Sequence, residues 1–255
     1  MAIDDKLKVF SLHTRQTDSE TPFVYTDVAT LDYIKNPWVE MKIVTTTVLA
    51  DADLVVFNGG TDINTDLYGE ERGNSTQLPD NIRDEIEKKI FEEAVNLNKP
   101  ILGICRGGQL GCVLSGGRLI QDVSDHAKPH SILDVYTKNI FEVNSMHHQL
   151  MFPYELSPKE YDILQYTTQE LMRPYSPQQF RDQNNQHYSV ELDGTSVFIK
   201  DIAYFKQPEM ILFEKTNCLA VQYHPELLDP TKYAEVLRIF NESLFNLIYE
   251  TAYSK

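Results

Sequence analysis

A chain of 255 residues, of which 42% are hydrophobic and 24% are charged, has the composition of a globular protein and the length of one large α/β domain or two small ones. Its 38 acidic against 23 basic residues give a formal net charge of -15, which disfavours nucleic acid and anionic membrane surfaces as direct partners. No apolar run approaches the ~18 residues of a membrane helix, and the acidic start lacks a signal-peptide core. We therefore expect a cytoplasmic protein.

The first hundred residues predict a parallel sheet. Residues 7–12 and 53–57 are apolar strand patterns, and the second stops abruptly at Asn58-Gly59-Gly60. Residues 79–98 carry apolar positions at helical spacing, which predicts an amphipathic helix. A third strand at 101–104 then runs directly into Cys105. The order strand, helix, strand favours parallel pairing.

The rest of the chain reads as a continuation of one domain, 1–255. A short helix at 109–114 and a hairpin or edge strands at 132–143 come first, and the pattern then weakens after about 157. We interpret about 165–208 as an insertion before the last core strand, with modest structure of its own. Apolar runs at 210–213 and 218–223 predict a further hairpin. The last helix is predicted to begin at Asp229-Pro230, a capping residue followed by proline.

The three cysteines differ in their surroundings. Cys105, Cys112 and Cys218 form no C-x-x-C pair, which argues against a disulfide framework and a structural zinc site. Cys105 lies between glycines at a strand-to-helix turn, where the following helix offers amide N–H groups and a positive dipole end. That setting is typical of a nucleophile, whereas Cys112 fits a packed core residue better than a resolving thiol.

A nucleophilic cysteine needs a base, and the segment His224-Pro225-Glu226 offers one. Side chains two residues apart at the end of a strand point the same way, so the Glu226 carboxylate can orient the His224 imidazole. Arg106, beside the cysteine, either favours a thiolate there or is solvated or paired within the structure.

Several motifs together resemble the class I glutamine amidotransferases. Residues 103–109 match the G-x-C-x-G-x-Q pattern of that superfamily, and 224–226 match its H-P-E ending. A closer likeness is to the γ-glutamyl hydrolase-like branch, peptidase C26, through the segments 58–62, 67–70, 83–84, 116–122 and 144–149. The resemblance implies a flavodoxin-like, doubly wound, mainly parallel sheet with the site at the carboxyl ends of its strands.

The same resemblance implies roles for single residues. The catalytic triad would be Cys105, His224 and Glu226. Backbone amides of Gly59 or Gly60 and of Arg106 would form the oxyanion hole. Gln109 and the backbone from Met146 through His147 and His148 to Gln149 would hold the amino-acid end of a glutamyl substrate. Asn58 departs from the family's proline, which we expect to loosen the loop that carries an oxyanion donor.

No metal or cofactor is predicted. His147 and His148, with His126 and His130 nearby, invite a zinc site, but no acidic or cysteine partner stands at a recognisable ligand spacing.

Three functional hypotheses remain open at this stage. The first is a glutaminase that acts on glutamine and passes ammonia to a separate synthetase, since the chain contains no acceptor-activating domain. The second is a free-standing hydrolase of γ-glutamyl amides. The third is a non-catalytic binding protein on the same fold, which a lost triad residue would indicate. All three triad residues are present. The sequence does not identify the leaving amine, the ammonia acceptor, the oligomeric state or the role of the insertion.

Overall fold

The computed structural model describes residues 6–12, 31–123, 126–167, 189–192, 195–198 and 207–253. Its thirteen strands are β1 Lys6–Leu12, β2 Lys42–Thr45, β3 Leu54–Phe57, β4 Ile101–Ile104, β5 Arg118–Ile120, β6 His130–Asp134, β7 Ile140–Val143, β8 Leu150–Phe152, β9 Tyr161–Thr167, β10 Ser189–Leu192, β11 Thr195–Phe198, β12 Pro208–Phe213 and β13 Cys218–Val221. Its α-helices are α1 Asn81–Asn96, α2 Arg106–Leu114 and α3 Ala234–Tyr253.

Nine strands form one sheet in the order β2-β1-β3-β4-β13-β12-β9-β6-β7. The first five are all parallel, and the remaining neighbours pair antiparallel. Only β12 and β6 run against the common direction, so the predicted mainly parallel α/β sheet is confirmed. The parallel part has the strand order of doubly wound flavodoxin-like folds, which place ligands at the carboxyl ends of the strands.

The sheet separates two hydrophobic cores because successive side chains of a strand face opposite ways. In β3, Leu54 and Val56 pack into the core under α3, whereas Val55 and Phe57 pack into the core with α1 and α2. Both faces of these strands are therefore covered, which explains why their sequence is uniformly apolar and does not alternate. No helix of the described residues is both long enough and apolar enough to span a lipid bilayer.

Several element boundaries differ from the sequence prediction. The helix predicted from residue 109 begins at Arg106, and β2 was not predicted at all. The last α-helix begins at Ala234, so its predicted start at Asp229 is wrong. Asp229 caps a preceding turn instead, since its Oδ1 accepts hydrogen bonds from the backbone N–H groups of Thr231 and Lys232 at 2.7 and 3.3 Å.

The predicted insertion at about 165–208 lies mostly outside the described residues. Its first three residues belong to β9, a strand of the main sheet between β12 and β6. Within it, β10 and β11 form an antiparallel pair of their own. Residue 208 begins β12.

The contact between α2 and the sheet leaves no room for side chains at two glycines. A Cβ atom on Gly107 would lie 2.1 Å from the backbone oxygen of Phe57, and one on Gly103 would lie 2.3 Å from the oxygen of Gly107. Real Cβ atoms do not approach oxygens this closely, so an added methyl would push the helix away from β3 and β4. The glycines thus set the depth at which α2 packs.

We expect Gly107→Ala to lower the free energy of unfolding by about 1–3 kcal/mol, the usual cost of overpacking. Gly69→Asn is the matched control, because Gly69 has φ 72° with no atom within 4 Å of an added Cβ, and Asn tolerates the left-handed region. Urea unfolding followed by circular dichroism measures both. Equal stability of the Gly107→Ala variant and the wild type would contradict this account of the helix packing.

Candidate active site

Cys105 lies at the sharp turn between β4 and α2, as the sequence predicts. Its backbone has φ 52° and ψ −109°, a conformation that non-glycine residues rarely adopt. The Cys105 N–H donates to the Val221 carbonyl at 2.6 Å, and the Cys105 carbonyl accepts from the Gln109 N–H at 2.9 Å. The side chain is 8% exposed. Strained backbone of this kind is characteristic of a nucleophile elbow.

His224 and Glu226 lie three and five residues beyond the end of β13 and contact each other as predicted. His224 Nδ1 and Glu226 Oε1 are 2.7 Å apart, and the His224 imidazole lies close to Cys105, since both residues approach Gly59. Burial lowers the pKa of His224, but the hydrogen bonds to Cys105 and Glu226 and their charges outweigh it and raise the pKa to about 10. Cys105, His224 and Glu226 thus lie next to one another in space.

The loop that follows β3 lies against this chain. A Cβ atom on Gly59 would be 3.0 Å from His224 Cε1 and 3.7 Å from Cys105 Cβ, so a side chain there would press on both residues. Asn58 does not loosen the loop, which corrects our expectation. Its Nδ2 donates to the Leu12 carbonyl at 2.6 Å and to Ser11 Oγ at 3.0 Å, fixing the loop to the end of β1.

Arg83 orients the peptide groups of the same loop. Its Nη2 donates to the carbonyl oxygens of Asn58 and Gly59 at 3.0 and 3.1 Å. In a trans peptide the N–H points opposite to the C=O, so the N–H groups of Gly59 and Gly60 are directed away from Arg83. At the sequence level Arg83 was only part of the resemblance, and this contact was not predicted.

Arg106 begins α2, and its side chain is buried. It forms ion pairs with Asp84 and Glu87 of α1, and Arg83 Nε pairs with the same Glu87 at 2.8 Å. The sequence left open whether Arg106 favours a thiolate, is solvated or is paired. In the structure it is paired. Two arginines and two carboxylates balance one another in this buried network, which joins α1 to the elbow and to the loop after β3.

The predicted substrate-binding residues lie in the loop between β7 and β8 and on α2. Gln109 Nε2 donates to the Gln149 carbonyl at 3.4 Å, and Gln222 Nε2 donates to the same oxygen at 2.9 Å. The Met146 side chain is 58% exposed. His148 contacts Asp62 at 3.1 Å, the nearer of its two acidic partners. Asp62 and Gln222 were not among the predicted site residues.

Asn144 connects this loop to the histidine. Its Nδ2 donates to the His224 carbonyl at 2.8 Å, and its Oδ1 accepts from the His224 N–H at 2.9 Å. The backbone of His224 is therefore held by the N-S-x-H-H-Q segment on one side, while its imidazole is held by Cys105 and Glu226.

Four buried side chains behind the loop form a separate cluster. Oε1 of Glu209, on β12, lies 3.2 Å from His126 Nδ1, 3.0 Å from His130 Nε2 and 3.5 Å from His147 Nε2. The sequence showed no acidic partner at a recognisable ligand spacing, and the structure brings Glu209 to these histidines from a distant strand. Glu209 stands 62 residues beyond His147 in the chain, so no local spacing could have indicated it. These four residues could hold a metal ion.

Comparison with known proteins identifies the family. The sequence profile of the family Peptidase C26 matches residues 34–159, which include the elbow and the N-S-x-H-H-Q segment. The chain belongs to the class I glutamine amidotransferase superfamily. A glutamine amidotransferase-like protein of Lactococcus lactis, YvdE, is 37% identical over 119 residues, covering 39% of this chain and 50% of that protein. The protein NtpR of Enterococcus hirae is 33% identical over 129 residues, covering 42% of this chain and 53% of its own length.

The matched region thus spans about half the length of these two relatives. Solved structures support the fold over nearly the whole chain. A glutamine amidotransferase from Thermotoga maritima superposes with a TM-score of 0.51 at 12% identity, covering 96% of both chains. A chain of PurLQS from the same organism has a TM-score of 0.50 at 14% identity, covering 94% of this chain and 97% of that one. The predicted superfamily and fold are confirmed.

We expect Arg106→Met to lower the free energy of unfolding by about 3–5 kcal/mol, because it leaves Asp84 and Glu87 buried with a single cation. The matched control is Arg238→Met on α3, where Arg238 is 49% exposed and pairs with Glu242. That surface pair should contribute under about 1 kcal/mol. Chemical unfolding of both variants tests the difference, and similar losses would show that the buried network does not stabilise the elbow.

Proposed function

We propose that this chain is a cysteine amidohydrolase that cleaves the γ-glutamyl amide of glutamine through a thioester on Cys105. The observation that carries the proposal is the continuous contact from the strained Cys105 to His224 and on to Glu226. A cysteine beside an imidazole that a carboxylate orients has its general base and proton donor already in place. The superfamily relationship supports the same chemistry.

The first half-reaction forms the thioester. Cys105 Sγ attacks the γ-carbonyl carbon, and the carbonyl electrons move onto its oxygen. Collapse of this tetrahedral intermediate breaks the C–N bond while His224 gives its proton to the departing nitrogen, which leaves as ammonia. Glu226 holds the imidazole in place throughout.

The oxyanion is stabilised by backbone amides, in our proposal those of Gly59 or Gly60 and of Arg106. Arg83 supports this assignment, because it turns the two glycine N–H groups away from itself. The Arg106 amide lies at the first position of α2, where helix N–H groups lack intrahelical partners. Preorganised donors of this kind are worth about 3–4 kcal/mol of barrier each.

The second half-reaction releases glutamate. His224, now neutral, removes a proton from water as the water oxygen attacks the thioester carbon. The C–S bond breaks, and the proton returns to the His224 and Cys105 pair. Gln109 and the backbone of residues 146–149 are proposed to hold the amino-acid end of the substrate during both steps.

The fate of the nitrogen separates two versions of this function. In the first, ammonia passes to a separate synthetase, as the chain's likeness to glutamine amidotransferases suggests. In the second, the enzyme is a free-standing hydrolase of γ-glutamyl amides, which the match to Peptidase C26 favours. Both versions use the same residues, and they differ in the leaving amine and in whether a partner raises the activity.

Glutamate and amine release from glutamine and from a panel of γ-glutamyl amides tests the chemistry. We expect Cys105→Ala to lower the rate by at least about 10⁴-fold, because no nucleophile remains. Cys218→Ala is the matched control, since Cys218 is a buried thiol whose pKa is raised by burial and which does not contact His224. Release by the Cys105→Ala variant at the wild-type rate would refute the thioester mechanism.

The substrate panel also separates the two versions. A preference for glutamine with weak activity that rises on adding an ammonia-accepting synthetase supports the amidotransferase. Efficient cleavage of larger γ-glutamyl amides by the chain alone supports the hydrolase. Absence of release from every substrate, with and without a synthetase, would favour the non-catalytic binding protein.

The pKa of His224 predicts a pH dependence. The pKa is raised from 6.5 to about 10, so the stabilising contact is fully present below about pH 6.5 and is lost as pH rises through about 10. We expect Glu226→Gln to lower this pKa, moving the alkaline limb of kcat/KM to lower pH and reducing kcat/KM by roughly 10²–10⁴-fold. The exposed Glu235→Gln serves as control, and an unmoved alkaline limb in Glu226→Gln would contradict the role of Glu226.

A further inference from the structure

The distances from Glu209 to its three facing histidines match the separation of ligands around a small metal ion. The three distances from Glu209 Oε1 to the facing nitrogens of His126, His130 and His147 are 3.0–3.5 Å, and all four ligand atoms lie within 4.8 Å of one another. Ligands at 2.0–2.2 Å from a tetrahedral zinc ion are separated by about 3.3–3.5 Å. The four side chains are 0–3% exposed, so the cluster is closed to bulk solvent.

The outer nitrogens of two of these histidines are bound to groups that can only accept. His130 Nδ1 lies 3.1 Å from the Lys128 carbonyl, and His147 Nδ1 lies 2.8 Å from the Gln149 carbonyl. Each Nδ1 must therefore carry a hydrogen. In a neutral ring the inner Nε2 then carries no hydrogen and presents its lone pair to the cluster. A histidine whose outer N–H is fixed by an oxygen is the usual arrangement of a metal ligand.

His126 has the opposite ring orientation but the same arrangement. Its outer Nε2 is 3.2 Å from Gln207 Oε1, and its inner Nδ1 faces Glu209. Neither His126 Nδ1 nor His147 Nε2 has a hydrogen-bond partner, and Glu209 Oε2 has none either. The two unpartnered imidazole nitrogens both face Glu209 Oε1, and buried polar atoms without partners are costly unless something binds there.

Protons alone do not satisfy this cluster. Glu209 Oε1 faces the inner nitrogens of three imidazoles. One imidazolium would neutralise it and leave two lone pairs facing the carboxylate. Three imidazolium groups would satisfy the hydrogen bonds and leave two excess positive charges in the interior. A divalent cation satisfies all three lone pairs and the carboxylate together.

We propose that His126, His130, His147 and Glu209 bind one divalent transition-metal ion, with zinc as the preferred occupant. Imidazole nitrogens with a carboxylate oxygen suit zinc among the transition metals, and a closed set of four protein ligands is typical of structural sites. The ion would join β6 and β12 to the loop that carries His147. The proposal concerns a site apart from Cys105 and does not depend on the proposed function.

The first test is the metal content of the full-length wild-type chain, purified without chelator and measured by inductively coupled plasma mass spectrometry. We expect about one zinc per chain. After removal with a chelator, titration with ZnCl₂ should restore one equivalent and raise Tm by about 5–10 °C at free zinc a hundred times Kd. Titration with CoCl₂ should give the intense visible bands of tetrahedral cobalt, a readout that needs neither mutation nor activity.

Variants locate the ion. Glu209→Gln and His147→Ala should each lose the bound zinc and the zinc-dependent rise in Tm. The neighbouring His148→Ala is the matched control, because His148 contacts Asp62 and Asp122 and lies outside the cluster; it should retain one zinc. The glutamine side chain in Glu209→Gln has nearly the same shape as glutamate. Far-ultraviolet circular dichroism establishes that each variant is folded.

Two results would overturn the proposal. One is a folded wild-type chain that binds neither zinc nor cobalt after chelation, which would make the cluster a purely hydrogen-bonded one. The other is full retention of one zinc by Glu209→Gln and His147→Ala, which would place the ion elsewhere. Loss of folding in both variants would leave the decision to the wild-type metal content and the cobalt spectrum, which are measured independently of them.

Discussion

The close approach of α2 to the strands beneath it determines the geometry of the whole site. Because Gly103 and Gly107 lack side chains, the helix backbone contacts β3 and β4 directly. The chain must then turn from β4 into the helix within one residue, and Cys105 takes the strained conformation that this turn requires. The strain costs free energy of about 1–3 kcal/mol, and the packing of two hydrophobic cores offsets it.

The buried ion network transmits that packing to the loop after β3. Arg106, at the elbow, binds Asp84 and Glu87 of α1. Arg83, also on α1, donates to the carbonyl oxygens of Asn58 and Gly59. Burying four charges gains little net stability over apolar packing, because desolvation opposes attraction. What the network does provide is a fixed direction for the loop's peptide groups, which apolar side chains could not supply.

Local patterns predicted those parts of the molecule that local forces determine. Apolar runs, the glycine-rich turn and the spacing of His224 and Glu226 were sufficient for the parallel strands other than β2, the elbow and the contact between imidazole and carboxylate. Strand β9 was missed because its side chains are mostly half-buried, so neither alternation nor a continuous apolar run marks it. Glu209 and the partners of Arg106 were missed because their contacts join residues far apart in sequence.

The adjacent histidines of the N-S-x-H-H-Q segment show how one loop can serve two sites. His147 turns inward to Glu209, whereas His148 turns to the acidic residues behind the β3 loop. Asn144 at the start of the segment fixes the backbone of His224, and the Gln149 carbonyl at its end accepts from α2 and from the β13 side. An ion bound to His147 would therefore restrain the segment between two points already tied to the catalytic elements. The ion would affect the candidate active site by positioning this segment, since no ligand of the cluster contacts Cys105.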